Sequence, residues 1–498
     1  MPETKIIGKR IPQIDAQSKV EGATIFGVDI KLPRMLYAKM LRSPFPHARI
    51  LNINTKKAER LPGVRLVATG YNTPSNKFRA IKPDERFFAK DEVFYVGDEV
   101  AAVVATDEDA AAEALELIEI EYEPLPAVFD PLEALGQDSP LARLDTTSNV
   151  CHHIELNRGN LEAGFESAVV IYEETFHLPH QYHSYIEPMV STAYWERDRL
   201  TVLAPIQTPR SNADVLCQAF NLGKGGVRII QTNIGGGFGG KTYMPIVIKS
   251  AILAKMANAP VKLVYEREED FACTLPRIPM SIKLRMGANA EGIITAKDTT
   301  ILADNGAYTY YAPVIVDTTA TRVDALYRFK NLHAVVDLVY TNKIPTSAFR
   351  GFGNPQSHFA VESMMDILAE KLGMDPVEIR LNNATQVNDI TANGWNIGSC
   401  GLTDTIQSAA KSIHWSEKRG KHRKKARGVG IACGIHVSGN RSIAPAGDGA
   451  YSQIRVYEDG TVHVATSEGD IGQGANTLYG MIAAEQLGIP VEKVFIDP

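Results

Sequence analysis

The chain has 498 residues, of which 44% are hydrophobic and 22% charged, with a formal net charge of −6. This is globular composition with room for two or three domains, and its acidic balance gives no general attraction for nucleic acid or anionic membrane. No window approaches the run of about eighteen apolar residues that a spanning helix needs, and the start "MPETKIIGKRIPQID" lacks the apolar core of a signal peptide.

Residues 1–130 alternate short strands with one clear helix. "YVGDEVAAVVA" predicts a buried strand pair, and "DEDAAAEALELIEIEYEP" a helix running into a strand. Prolines and turn residues in "EPLPAVFDPLEALGQDSPLARLD" predict a linker over 131–150. From 151 the pattern changes and repeats. "STAYWERDRLTVLAPIQTPRSNADVLCQAFNLGKGGVRII" and "AYSQIRVYEDGTVHVATSEGDIGQGANTLYGMIAAEQLGIPVEKVFI" each read as strand, turn, strand, Gln-bearing loop, amphipathic helix ending in Leu-Gly, and strand. Gln207 and Gln473 occupy matching places between strand end and helix start. The two copies predict an α+β chain with one domain over 151–400 and the beginning of a related one over 401–498. The second copy stops after its last strand, where the first continues into a glycine loop, so an unpaired edge is expected there and the chain reads as a fragment or one half of a split pair.

That loop, "GGGFGGKT" from Gly235 to Thr242, satisfies GxxxxGK[ST] and lies between an apolar run and a helical stretch, as a phosphate-cradling NTPase loop requires. Consecutive glycines let backbone N–H groups close on an anion, which explains phosphate affinity without choosing the ligand. No apolar strand ends in an Asp placed to hold magnesium; Asp337 of "HAVVDLVY" lies inside its strand pattern. A second stretch, "TSAFRGFGNPQSHF", puts Arg350, Gly351, Phe352 and Gly353 ahead of a long helix, and Asp375 with Pro376 opens the next one. A forked donor, close backbone approach and a flat apolar face together suit an anionic cofactor beside an aromatic substrate.

"GGGFGGK", "AFRGFGNPQ" and "EGDIGQGANT", in this order, resemble the molybdenum-cofactor subunit of the xanthine dehydrogenase (molybdenum hydroxylase) family, and residues 1–130 resemble its α/β hammerhead domain. The resemblance covers nearly the whole chain and implies molybdopterin-binding domains at 151–400 and, incomplete, at 401–498. Gln207 resembles the glutamine that hydrogen-bonds an oxygen on the metal. Gly236, Gly237, Phe238 and Gly239 resemble the loop flanking metal and pterin, and Arg350 with Gly351 the cofactor-side arginine loop. Gln207, Phe238 and Arg350 are thus the implied neighbours of molybdenum, through side chain or backbone, and Gly472 and Gln473 the second pterin contact. Phe352, Thr242 and Cys433 match positions around the substrate. The family's general-base glutamate is expected beyond Pro498, so no catalytic residue is assigned. Thr242 stands where purine-hydroxylating members carry an acid, and the "AFRGFG" loop lacks the cysteine of carbon monoxide dehydrogenases; "GIACGIHVSGNRSIAPAGDGAYSQIRV" is most similar to the branch holding 4-hydroxybenzoyl-CoA reductase, with nicotinate dehydrogenase near.

The resemblance implies a molybdenum-dependent oxidoreductase that hydroxylates, or in reverse reduces, an aromatic, heterocyclic or aldehyde-type carbon. It implies a molybdenum–molybdopterin cofactor, with the cytosine dinucleotide form as one option, and iron–sulfur and FAD subunits as partners beside a carboxy-terminal molybdopterin-binding portion. The alternatives are a P-loop NTPase or a non-catalytic half that needs a partner chain. Five scattered cysteines, Cys151, Cys217, Cys273, Cys400 and Cys433, form no CxxC pair or cluster-binding run, consistent with a cytoplasmic chain whose electron carriers lie on partners. His177, His180, His183 and Glu187 in "HLPHQYHSYIEP" lack an HExxH pattern and read as structural, and the basic run "EKRGKHRKKARG" reads as a solvated connector.

Overall fold

A computed structural model describes residues 4–79, 81–420, 427–436 and 450–497. Half of the basic run, residues 421–426, and most of the stretch between Ile435 and Tyr451, lie outside the described residues. No described helix is long and apolar enough to cross a membrane.

The largest sheet has seven strands and ignores the boundary between hammerhead and first repeat. Its order is Val227–Gln231, Arg199–Ala204, Val190–Glu196, Val261–Val264, Leu36–Arg42, Glu99–Ala105 and Val64–Thr69. The seam is the parallel pairing of Leu36–Arg42 with Val261–Val264, where Leu36 faces Val261. Glu99–Ala105 is buried at every residue because it lies inside the sheet with helices packed on both faces, so a continuous apolar run is what the position demands. The expected strand pair over "YVGDEVAAVVA" is therefore one strand: Val96 and Gly97 form a turn closed by Asp98 N–H donating to the Tyr95 carbonyl (3.1 Å) and held by Asp98 Oδ2 accepting from Phe94 N–H (3.0 Å). Helix Glu108–Glu116 follows, capped by Asp107, and leads into strand Glu119–Pro124 as its sequence predicts.

A second sheet of five strands orders Val150–Arg158, Leu332–Tyr340, Ile294–Gly306, Met280–Ala288 and Val170–Leu178. Helix Asn354–Leu372 packs on it and closes the second apolar core. The proline-rich stretch between the two sheets is not a free tether. Val128, Ala134 and Ala142 bury against Val339 and Tyr340, and the guanidinium of Arg143 donates to the carbonyls of Ala307 (2.7 Å) and Asp84 (2.9 Å). Its prolines shape a packed surface, which composition alone cannot distinguish from a solvated loop.

Both copies of the repeat adopt one topology. In the first, Val190–Glu196 and Arg199–Ala204 form an antiparallel hairpin; helix Pro209–Phe220 then crosses to Val227–Gln231, parallel to Arg199–Ala204. In the second, Ser452–Val456 and Val462–Thr466 form the hairpin, and helix Ala475–Leu487 crosses to Val494–Asp497, parallel to Val462–Thr466. After the first unit the chain runs through the glycine loop into helix Pro245–Ala257, whose residues from Ile246 to Ala254 are all buried. An amino-terminal arm reaches back across both units. The carboxylate of Glu485, on the second unit's helix, accepts from the N–H groups of Lys5, Ile6 and Ile7, while Asn233, just before the glycine loop, donates to the Ile25 carbonyl (2.8 Å).

Candidate cofactor site

The site forms where three backbone turns meet at the end of the seven-stranded sheet. Gln207 leaves strand Arg199–Ala204 just before Pro209 sets the first turn of its helix. Its Oε1 accepts from the N–H groups of Gly239 (2.9 Å) and Lys241 (3.2 Å). Two donors facing that atom require oxygen there, so the amide nitrogen points away, and it has no acceptor among the described residues. Gly237 lies so close that a Cβ built on it would sit 2.6 Å from Gln207 Oε1. Gly236, Phe238 and Gly239 all have positive φ, and the N–H groups of Gly236, Gly237 and Phe238 donate to nothing among the described residues.

The Arg350 turn docks on this loop. Arg350 N–H donates to the Phe238 carbonyl (2.8 Å), and a Cβ on Gly239 would strike the Ala348 carbonyl at 2.8 Å. Arg277 braces the turn from behind, donating to the Arg350 carbonyl (2.9 Å) and Gln356 Oε1 (3.1 Å) with its guanidinium over the Phe349 ring. Burial lowers its pKa to about 10. His183 stacks on Phe349 and bonds the Ala348 carbonyl through Nε2 (2.8 Å); burial pushes its pKa down to about 4, so it is neutral at physiological pH. The Arg350 guanidinium itself is exposed and makes no hydrogen bond or ion pair among the described residues.

The other expected positions fall around this junction. Gly351 (φ 94°) tightens the Arg350 turn, and Phe352 (φ 48°) is half-buried against the second core. The Thr242 carbonyl is tied to Asn212 Nδ2 (2.8 Å) and the Thr208 hydroxyl. Cys433 lies farther along helix Asn354–Leu372, its N–H donating to the buried Glu362 (2.9 Å), and burial raises its thiol pKa. Gly472 lines a cleft of about 600 Å³ together with Lys19, Phe26, Asn233 and Gly235, and Gln473 follows it in the same turn. The Gln473 side chain closes on its own loop, accepting from Ile471 N–H (2.7 Å) and donating to the Gly469 carbonyl (3.2 Å). Among the described residues no group of three or more His, Cys, Asp or Glu is placed to hold a metal ion, which covers the histidines of "HLPHQYHSYIEP".

The NTPase reading fails on this geometry. The Lys241 ammonium is buried against Glu187 (2.7 Å) rather than directed at a ligand, and the loop N–H groups of Gly235, Gly239 and Lys241 already donate to protein side chains. Helix Pro245–Ala257 starts only after Thr242, so Lys241 and Thr242 are not on its first turn.

Comparison with known proteins agrees with the site. Models of the molybdopterin cofactor-binding domain match residues 143–384 and 405–498, and the aldehyde oxidase and xanthine dehydrogenase a/b hammerhead domain matches residues 21–126. The nicotinate dehydrogenase large molybdopterin subunit of Eubacterium barkeri is 35% identical over 81% of this chain and 96% of its own length. The chain belongs to the xanthine dehydrogenase family of molybdenum hydroxylases. A probable xanthine dehydrogenase subunit of Bacillus subtilis is 33% identical over 97% of this chain and 65% of its own length. Against that family member and a molybdenum-binding subunit from Escherichia coli O157:H7, this chain spans about two thirds of the relative's length (65% and 66%). The aldehyde oxidoreductase of Desulfovibrio gigas superposes with a TM-score of 0.91 at 29% identity, covering 99% of this chain and 56% of that one. Quinoline 2-oxidoreductase from Pseudomonas putida 86 gives 0.91 at 26% identity, covering 99% and 66%.

Sequence reasoning missed Arg277 and the amino-terminal arm as parts of the site. Arg277 carried a signal, a lone Arg between prolines in "TLPRIPM", where no helix or hairpin accounts for it. The arm carried none, because its contacts with Glu485 and Asn233 are far away in sequence.

Proposed function

We propose that this chain is the molybdopterin-binding part of a molybdenum-dependent oxidoreductase that hydroxylates an electron-poor carbon of an aromatic, heterocyclic or aldehyde substrate, or reduces such a centre in reverse. One observation carries the reading: the unclaimed donors at the junction. Gln207 Nε2, three consecutive loop N–H groups and the exposed Arg350 guanidinium belong to the turns that meet here and have no protein acceptors among the described residues. Such a set fits an oxygen-rich anion, and donors fixed by the fold cost little reorganisation when it binds.

The bound molybdenum–molybdopterin group, with the cytosine dinucleotide form as one candidate, supplies two-electron redox chemistry at the metal. In this reading the amide nitrogen of Gln207 would be a donor toward the bound group, while its carbonyl holds the loop. The N–H groups of Gly236, Gly237 and Phe238 line the cofactor, and Arg350 offsets its negative charge. Gly472, which lines the cleft, and Gln473 beside it would offer the second pterin contact. Phe352, half-buried with part of its ring free, gives a planar substrate an apolar face, with Thr242 and Cys433 as the more distant candidates for substrate contact. Iron–sulfur and FAD subunits would serve as the electron-carrying partners, a division consistent with relatives named as large or molybdenum-binding subunits. The exposed strand Ser452–Val456 offers a face for a further molybdopterin-binding portion or subunit.

Metal and pterin analysis tests this. Chain purified from cells that make molybdopterin, with its partner subunits, should carry molybdenum and yield a fluorescent pterin oxidation product. Absence of both, together with magnesium-dependent nucleotide hydrolysis, would overturn it.

A further inference from the structure

We propose that Lys241 and Glu187 form a buried charge clamp that sets the shape of the glycine loop, so that Lys241 positions the cofactor cradle without touching its ligand. The proposal rests on the functional reading above for what the loop holds, but not for how the loop is held.

Glu187 grips the loop at both ends. Its Oε2 accepts from the N–H of Gly235 (2.8 Å) and from the ammonium of Lys241 (2.7 Å), six residues apart along the chain. Its own N–H donates to the Gly235 carbonyl (3.1 Å), and a Cβ on Gly235 would lie 2.5 Å from the Glu187 Cβ, so the two backbones are in contact. Gln207 takes the middle of the loop, through the N–H groups of Gly239 and Lys241. With both ends and the middle tied to the protein, Gly236 to Phe238 are left as the arch whose N–H groups are free. The arch is what the three ties leave over.

The clamp is electrostatic. Lys241 is fully buried, with the Tyr185 ring 4.8 Å from its ammonium, and the Glu187 side chain is nearly so. Burial lowers the lysine pKa, while Glu187 and then Asp270 raise it and Arg267 opposes them. Asp270 is already taken up by Tyr182, Tyr185 and Arg267, so Glu187 is the partner in direct contact. A buried pair of this kind is costly to break from one side, because the survivor stays charged and unpaired, whereas removing both charges together is close to neutral.

That asymmetry supplies the test. In the complete chain, Lys241→Met should raise amide hydrogen exchange at Gly235, Gly239 and Gly240, the loop N–H groups that are hydrogen-bonded, by at least about tenfold, the size expected when a strong local restraint is lost. Exchange in the distant strand Met280–Ala288 should stay unchanged. Lys241→Met combined with Glu187→Gln, which keeps a carbonyl for Gly235 N–H, should return the loop to wild-type exchange and restore molybdenum content. If Lys241→Met alone does not fold, recovery of folded protein in the double variant is the same result. The proposal is overturned if loop exchange is unchanged in Lys241→Met, if loop and distant strand rise together, or if the double variant does not recover. A lysine that contacts the cofactor predicts the last outcome. Because exchange is read without cofactor, a wild-type chain lacking molybdenum would contradict the functional reading while leaving the clamp testable.

Discussion

In the first unit the outer hairpin strand, Val190–Glu196, is buried from Val190 to Ala193, pairs with Val261–Val264 and carries helix Pro245–Ala257 on its face. In the second, the corresponding strand Ser452–Val456 is exposed along its whole length, and Leu478 and Ile482 stand in solvent one helical turn apart. The glutamines differ in the same way. Gln207 gives its carbonyl to a neighbouring loop and keeps its nitrogen free; Gln473 spends both ends on its own turn. A short local pattern suffices to put a glutamine between a strand and a helix. What it can then bind depends on the segment packed behind it, which in the first unit is the glycine loop. The units still communicate: Gln231, at the end of the first unit's last strand, donates to the Ile206 carbonyl (2.6 Å), and a Cβ on Gly469 would collide with its side chain.

The largest expected effect breaks the first unit at its closest approach. A side chain at Gly237 must displace Gln207, since even a Cβ would stand 2.6 Å from Oε1. Gly237→Val should lower molybdenum content at least about tenfold, the consequence of losing more than about 1.4 kcal/mol of binding. Gly472→Ala in the second unit meets open space and carries only the strain of its φ of 109°, so a smaller, few-fold loss is expected. Equal losses would mean that the two loops hold the cofactor alike.

The difference in burial makes a second contrast, read by chemical denaturation. Ala193→Lys puts a charge at a fully buried position and should cost about 3 kcal/mol or more, or abolish folding. Ile454→Lys, on a side chain 50% exposed, should change stability by no more than about 0.5 kcal/mol. A large loss from Ile454→Lys in the chain alone would show that its face is already covered.

Much of this was legible because it is local. The repeat, the matching glutamines, and the Asp375 cap with the proline that opens Pro376–Asn383 depend on a few adjacent residues. The continuous seven-stranded sheet was not, because pairing Leu36 with Val261 joins segments whose patterns say only that each is a buried strand. The partner of Lys241 was hidden for the same reason: Glu187 lies in a histidine-rich stretch with no motif linking it to the glycine loop. Lys249 shows the missed clue. A lysine in the all-apolar "MPIVIKSAILA" can only be buried and paired, as it is with Glu99 (2.8 Å) and Glu85 (3.1 Å). The same logic applied to "GGGFGGKTYMPIV" would have asked for an acid beneath Lys241.

The most direct test of the central claim, that the first unit's glutamine and not the second's faces the metal, is molybdenum K-edge absorption of the loaded protein with Gln207→Ala beside Gln473→Ala. The account predicts that Gln207→Ala alters the edge and near-edge features of the molybdenum that remains bound, while Gln473→Ala leaves the spectrum of wild type. An unchanged spectrum in Gln207→Ala, or a change in Gln473→Ala alone, would contradict it.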